Sequence, residues 1–268
     1  MSMSKRLEEA RQAFMRRDLA ASATAHEPRR VLHAATEAHG GAGHQYIGEL
    51  VYGGLDGIVT TFAVVSGVAG AELGTHVVLI LGLANLFADG FSMATGAYLS
   101  AKSEQEYYAR EWQREAWEVE HFPEGERVEL QAVYERQGYS PEEARQLAEI
   151  KSRDPQRWIK AMMIDELGLL PDERRPPLIA LATFISFVLA GAVPLLIYLL
   201  GLFLTVPLEL TFPVSMALSA LALFGLGAAK VLVTGLNPLR SGLEMLVVGG
   251  LAAGVAYAVG VLLKGIGG

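Results

Sequence analysis

The chain of 268 residues contains no cysteine, and long stretches of it contain no charge. Without cysteine there is no disulfide, no thiolate metal ligand and no cysteine nucleophile, so a metal would need carboxylate, imidazole, thioether or backbone ligands. Residues 178–200, 210–229 and 245–263 lack Asp, Glu, Lys and Arg altogether. Each stretch is long enough to cross a bilayer as a helix, which excludes an ordinary soluble domain.

Two further apolar stretches, 50–71 and 77–101, are also long enough to span a membrane, although they contain Asp56 and Asp89. The first forty residues are polar and rich in arginine, without the short apolar region of a cleavable signal peptide. The spans themselves must then direct insertion. We therefore predict an all-α polytopic membrane protein with five transmembrane helices.

The charges divide the chain into four parts and predict its orientation. These parts are a basic arm (1–45), transmembrane helices 1 and 2 (46–101), a charged insert (102–177) and transmembrane helices 3 to 5 (178–268). The short loops around Glu72 and Glu209 have no Lys or Arg, as external loops do under the positive-inside rule. We therefore expect the arm and the insert to be cytosolic, and the C-terminus to lie outside.

Local signals predict helices throughout the insert. The second span should continue as a polar helix and break at Pro123, and a second helix should run to about Gln137. Ser140 followed by Pro141 and Glu143 has the pattern of a capping box, and Asp154-Pro155 repeats a cap-and-proline signal. Gly168 can close the last helix. In the arm, residues 4–21 have the pattern of one amphipathic helix, typical of a solvated or membrane-surface segment.

The acids within the first two spans are candidates for function. Glu49 and Asp56 are seven residues apart, on one face of the first span, whereas Asn85, Asp89 and Met93 follow at intervals of four in the second. An acid in hydrocarbon is costly unless it faces a partner or a water-filled path. A carboxylate beside a thioether favours softer transition ions such as Fe²⁺. The structural alternative is that the acids pair with backbone groups or with Lys230, and that Met93 fills a packing gap.

Glycines surround these acids. Gly53 and Gly57 form a pair of small residues four apart in the first span, which lets a neighbouring helix approach closely. We expect the neighbour to be the second span, within one chain or across a subunit boundary.

The insert is acidic, with 18 Asp and Glu against 12 Lys and Arg over residues 101–175. Glu115 and Glu118 are three apart on one side of Pro123, and Glu126 and Glu129 are three apart on the other. Two such pairs on packed antiparallel helices would form a carboxylate cluster like those of helical-bundle metal sites. The alternative is an ordinary solvated acidic face.

The chain resembles the vacuolar iron transporter family. The resemblance rests on GLDGIVT at 54–60, DGFSMA at 89–94, the glutamate pairs, MMIDELG at 162–168 and GAVPL at 191–195. It implies a homodimer of five-span subunits, each with a cytosolic helical metal-binding domain, that exchanges Fe²⁺ for protons. It places Asp56 and Met93 in the ion path, with Glu49 at an acidic position of plant relatives and Asp89 beside Met93. The implied ligands of the domain are Glu115, Glu118, Glu126, Glu129, Met162, Met163 and Glu166.

A transporter rather than an enzyme is therefore expected, with Fe²⁺ as substrate, Mn²⁺, Co²⁺ or Zn²⁺ as further candidates, and no prosthetic group. Its expected partners are the bilayer, a second copy, metal ions and protons, but no nucleic acid. The absence of a recognisable targeting segment is compatible with a bacterial cytoplasmic membrane, which is favoured, and with an organelle membrane. One competing hypothesis is a membrane-anchored ferroxidase or iron-storage protein, since Glu118 and His121 form one Glu-x-x-His element of the di-iron type. Another is a membrane-anchored metal sensor, which would leave Asp56 without a role.

Overall fold

The computed structural model describes residues 5–34, 46–230 and 237–264. Within these residues every regular element is a helix, which confirms the all-α fold class. The chain forms two compact units. The first unit comprises Met1–Thr95 and Leu178–Gly268, and the second unit comprises Gly96–Pro177.

Twelve α-helices are described, together with one π-helical and one 3₁₀ turn. In chain order they are α1 (Lys5–Arg16), α2 (Leu19–Ala25), α3 (Pro28–Ala34), α4 (Ile47–Gly70), α5 (Thr75–His121), α6 (Pro123–Arg136), α7 (Pro141–Ser152), α8 (Pro155–Ala161), the π turn (Met162–Glu166), α9 (Pro176–Gly191), the 3₁₀ turn (Val193–Leu195), α10 (Leu196–Leu200), α11 (Leu208–Ala229) and α12 (Pro238–Leu263).

Among the described residues, five helical segments are long and apolar enough to cross a membrane, as the sequence predicts. They are α4, α5, the stretch Pro176–Leu200, α11 and α12. Helix α5 has 47 residues, far more than a bilayer needs, and its apolar part gives way to charged residues from Lys102 onward. The membrane-spanning part of α5 therefore ends near Ala101, and the polar remainder extends beyond it.

The third span is interrupted near its end. Helix α9 stops at Gly191 and a 3₁₀ turn containing Pro194 precedes α10. Proline cannot donate a backbone hydrogen bond, so regular helix is interrupted there. The carbonyl of Pro194 accepts a hydrogen bond from the hydroxyl of Ser215 on α11 at 2.6 Å. This bond joins the third and fourth spans inside the first unit.

Close packing at Gly53 and Gly57 joins the first span to the third, so the expectation that these glycines pack against the second span of the same chain is wrong. A Cβ at Gly53 would lie 2.7 Å from the carbonyl oxygen of Thr183. A Cβ at Gly57 would lie 3.0 Å from the Cα of Phe187. The hydroxyl of Ser186 also donates to the carbonyl of Leu50. Small residues allow any helix to approach, and their spacing does not specify which one does.

The arm also differs from its prediction. Its expected start at Ser4 lies outside the described residues, as do residues 35–45 of the predicted basic segment. Helix α1 ends at Arg16 rather than continuing to residue 21, because Arg17 adopts a φ of 52°. Asp18 then accepts a hydrogen bond from the N–H of Ala21 and begins α2. The arm thus starts with short helices instead of one long one.

The second unit has the predicted breaks and caps. Helix α5 ends at His121 and α6 begins at Pro123, a residue suited to a first helical position. Ser140 and Glu143 form the capping box, and Asp154 accepts from the N–H of Arg157 at 2.9 Å. Gly168 has a φ of 67°, which favours glycine and closes the segment after the π turn. The core of this unit consists chiefly of Val119, Leu130, Tyr134, Ala144, Ala148, Trp158, Ile159, Met162 and Met163.

Candidate metal centre

The glutamate cluster of the second unit is built from the end of α5 and the start of α6. Glu115 and Glu118 lie one turn apart on α5, and Glu126 lies one turn into α6. One carboxylate oxygen from each of the three lies within 4.8 Å of the others. The reversal of the chain at Pro123 makes this possible, because it turns α6 back along α5. The structure therefore brings three of the four paired glutamates together, while Glu129 is not part of this group.

The glutamates of the cluster differ in how far their side chains are buried. Glu115 is 1% exposed and Glu126 is 5% exposed, whereas the side chain of Glu118 is 28% exposed. Glu129 is exposed, but its charge still acts on Glu115, Glu126 and Glu166. Within the described residues, Oε2 of Glu126 and Oε2 of Glu166 are buried and have no hydrogen-bond partner. Buried carboxylate oxygens are costly without a donor or a cation, so this arrangement suits a metal ion.

Burial and neighbouring negative charges raise the pKa values of three carboxyl groups in and near the cluster. Burial raises the pKa of Glu115 to about 7; the nearby Arg114 opposes that rise, while Glu166, Glu118 and Glu129 add to it. Burial likewise raises the pKa of Glu126 to about 7, and the neighbouring carboxylates, Glu115 first among them, reinforce the effect. The pKa of Glu166 is also raised by burial and then by Glu129. A divalent cation would relieve the repulsion that contributes to all three shifts.

The other predicted ligands lie in the π turn that follows α8. Met162 and Met163 are 0% exposed and belong to the apolar core, while Glu166 at the end of the turn is half-buried. Tyr134 on α6 donates a hydrogen bond from its hydroxyl to Asp165 at 3.0 Å, which ties α6 to the turn. A π turn of this kind is frequent at functional sites, since the extra residue redirects the side chains that follow.

Sequence reasoning missed Arg114, which lies among the cluster's carboxylates. Its guanidinium donates to Glu115 and Glu118, each at 2.5 Å, and to Glu111 at 2.9 Å. Arg114 and Glu118 are four residues apart on one helix, and this spacing could have predicted their ion pair. Arg114 also donates to the buried Glu115, the next residue in the chain. Helical spacing does not predict that contact, because adjacent residues on a helix do not face each other.

The acids of the first two spans lie together in the first unit. Asp56 and Asp89 are close enough for their charges to interact, and both are half-buried. Each is followed by a glycine packed against Phe187 of the third span, since a Cβ at Gly90 would lie 3.0 Å from the ring of Phe187. The sequence places Asp56 and Glu49 on one face of the first span, but it does not indicate the interaction between Asp56 and Asp89.

The remaining predicted residues of the spans also have defined surroundings. Glu49 is half-buried in the first turn of α4. Met93 is partly buried and packs against the cluster of apolar side chains that includes Leu86 and Phe187. The amide nitrogen of Asn85 is buried and has no hydrogen-bond partner among the described residues. On the face of α5 that holds Asn85, Asp89 and Met93, the Met93 side chain makes a packing contact and the Asn85 amide is a donor without an acceptor among the described residues.

Comparison with known proteins agrees with these features. Residues 47–261 match the model of the VIT family. The vacuolar iron transporter of Toxoplasma gondii is 38% identical over 267 residues, covering 96% of this chain and 88% of the relative. Vacuolar iron transporter 1 of Arabidopsis thaliana is 36% identical, covering 84% of this chain and 88% of the relative. The vacuolar iron transporter of Plasmodium falciparum is 32% identical and covers 98% of both chains. The chain therefore belongs to the VIT family.

Proposed function

We propose that this protein is an antiporter that exports Fe²⁺ from the cytosol in exchange for protons, and that the glutamate cluster captures the ion first. The observation that carries the proposal is the placement of two buried glutamates, Glu115 and Glu126, beside Glu118 in a chain with five spans. Transport of iron is supported by the relatives, which are named vacuolar iron transporters. Their naming as transporters also favours a non-enzymatic role.

In the capture step, the carboxylates of Glu115, Glu118 and Glu126 supply hard oxygen ligands, with Glu129 and Glu166 near enough to add charge. Met162 and Met163 would add thioether sulfur, which shifts preference from Mg²⁺ and Ca²⁺ toward transition ions. Binding to Fe²⁺ requires the carboxylates to be ionised. A site with this donor set also accepts Mn²⁺, Co²⁺ and Zn²⁺.

In the translocation step, Asp56, Asp89, Met93 and Glu49 line the proposed path within the spans. Two carboxylates that interact in an apolar region favour either a shared proton or a cation between them. An acid that binds Fe²⁺ must release its proton, and it can regain one when the ion leaves. Alternation between these two states would couple metal export to proton entry.

The proposal includes an orientation and an assembly. The distribution of Lys and Arg supports a cytosolic arm and a cytosolic second unit, so the cluster would face the compartment that metal leaves. The homodimer is proposed from the family resemblance. The favoured bacterial cytoplasmic membrane stays a prediction, since the named relatives come from eukaryotes.

Reconstitution in proteoliposomes tests the transport proposal. With Fe²⁺ supplied on the side of the second unit under reducing conditions, we expect metal to accumulate and the pH on the opposite side to rise as protons leave it. An opposing proton gradient should accelerate uptake, and a protonophore should abolish accumulation against a metal gradient. Accumulation that is unchanged by the protonophore would exclude antiport.

The ferroxidase alternative receives less support. The imidazole Nδ1 of His121 lies 2.8 Å from the carbonyl oxygen of Trp117, and the two rings stack with their centroids 4.5 Å apart. Among the described residues, the group with metal-binding spacing contains glutamates but not this histidine. Iron-dependent oxygen consumption by the purified protein would reinstate the alternative.

A further inference from the structure

The guanidinium of Arg114 binds two of the three carboxylates that would hold a captured metal. One terminal nitrogen donates to Oε1 of Glu115 and the other to Oε2 of Glu118, both at 2.5 Å. Glu115 and Glu118 belong to the group whose oxygens converge within 4.8 Å. A planar guanidinium suits this geometry, because its two terminal nitrogens can each reach a different carboxylate.

The cluster needs such a cation when no metal is bound. Glu115 and Glu126 are almost fully buried, and like charges in so small a volume repel each other strongly. Arg114 places one positive charge at the edge of this volume. A divalent ion bound by the same carboxylates would repel the guanidinium, because both are cations within a small volume. Metal and arginine are therefore expected to be alternatives.

The Arg114 side chain can move away from Glu115 and Glu118. Its side chain is 44% exposed, so it can turn toward solvent without crossing a packed core. Its Nε already donates to Glu111 at 2.9 Å, and Glu111 also accepts from Arg110 at 3.0 Å. Glu111 is not one of the glutamates proposed as metal ligands, so it can hold the displaced side chain near the site.

We propose that Arg114 is a tethered counter-ion that neutralises the empty glutamate cluster and is displaced by the incoming metal. This inference rests on the proposed capture function, and it adds that capture is an exchange of cations. The arginine stabilises the metal-free second unit and lowers its affinity for metal. Release of the ion is then aided by the return of the guanidinium to Glu115 and Glu118.

The test compares Arg114→Gln with Arg110→Gln in the full-length protein, using Co²⁺ as the probe because it resists oxidation by air. Both changes remove one positive charge from the same helix, but Arg110 contacts Glu111 and neither of the two ligands. We expect Arg114→Gln to lower the Kd for Co²⁺ roughly threefold to tenfold, and to lower the metal-free melting temperature by about 2–4 °C. Arg110→Gln should change the Kd by less than about twofold.

A rescue measurement makes the result independent of side effects of glutamine. In Arg114→Ala, added methylguanidinium should restore the melting temperature of the metal-free protein and raise the Kd for Co²⁺, while leaving the wild type unchanged. Weaker Co²⁺ binding by Arg114→Gln would overturn the inference, because it would show that the arginine supports the bound state. Equal Kd values for the Arg114 and Arg110 variants would overturn it as well.

A different variant tests the proposed capture function itself. If replacement of Glu115, Glu118 and Glu126 by alanine leaves Co²⁺ binding to the full-length protein unchanged, the cluster is not the capture site. If that variant loses binding while the Arg114 variants behave like the wild type, capture stands and only the exchange of cations is wrong.

Discussion

Glu115 and Glu126 are buried on consecutive helices, and their carboxylates converge although eleven residues separate them in the chain. Neither acid would be stable in this position as an isolated charge. Their proximity to Glu118, and the charge of Glu166 at the end of the π turn, are the basis for the proposed capture of cations by the second unit.

Glu126→Gln should abolish tight metal binding while raising the stability of the metal-free protein. Glutamine keeps the shape of the side chain but removes a buried negative charge from a repulsive group. We expect at least a tenfold loss of Co²⁺ affinity and an increase of about 2–4 °C in the melting temperature without metal. Titration calorimetry and thermal unfolding measure the two effects. Glu135→Gln is the matched control on the same helix, because Glu135 is exposed and bonded to Gln131; a lower melting temperature for Glu126→Gln would contradict the prediction.

Metal-free stability and metal affinity should change in opposite directions with pH. The pKa values of Glu115 and Glu126 are raised in the fold from 4.5 to about 7, so the folded protein binds more protons than the unfolded chain between these values. Their contribution to stability is therefore fully present below pH 4.5 and is lost as the pH rises through about 7. Metal binding displaces those protons, so the Kd for Co²⁺ should fall over the same range.

Denaturant unfolding of metal-free protein and calorimetry at several pH values provide the measurements for this second prediction. The Glu126→Gln variant should show a smaller dependence of unfolding free energy on pH than the wild type, since one of the two groups is gone. A metal-free wild type that becomes steadily more stable between pH 5 and pH 7 would show that other groups dominate.

Alanine substitutions in the two units should affect transport differently, which distinguishes capture from translocation. Alanine at Glu115, Glu118, Glu126 and Glu129 should slow uptake at low metal concentration, with part of the rate restored when metal is abundant. Asp56→Ala or Met93→Ala should instead abolish transport at every concentration, because each removes a ligand from the proposed path. Met216→Ala is a control for loss of a thioether, since Met216 lies on α11 and is 49% exposed. Normal rates in the Asp56 and Met93 variants would refute their assignment to the path.

Gly57→Ala should destabilise the spans more than an ordinary helical glycine does. The added Cβ would meet the backbone of Phe187, which cannot move without shifting α9. Gly225→Ala on α11 has open space at that position, so it should be neutral or slightly stabilising through its better helix propensity. Thermal unfolding in one detergent compares the two. Equal melting temperatures would show that α4 and α9 are not held together by this contact.

The sequence by itself determined the features that depend on neighbouring residues. The five spans follow from the length of uncharged apolar segments, and the starts of α6, α7 and α8 follow from Pro123, the Ser140 capping box and Asp154. A cap is formed by residues three apart, and a span needs only its own side chains to be stable in lipid. Such features are therefore visible in the order of residues.

Only the tertiary structure decided which side chains are buried and which helices touch. Glu115 and Glu126 become the buried members of their pairs because α6 folds back onto α5, whereas the spacing of three residues is the same in each pair. Gly57 packs against Phe187 of the third span, although its small size would admit any neighbour. These outcomes depend on packing between residues distant in the chain, where the core of each unit selects a single arrangement from many that the local pattern allows.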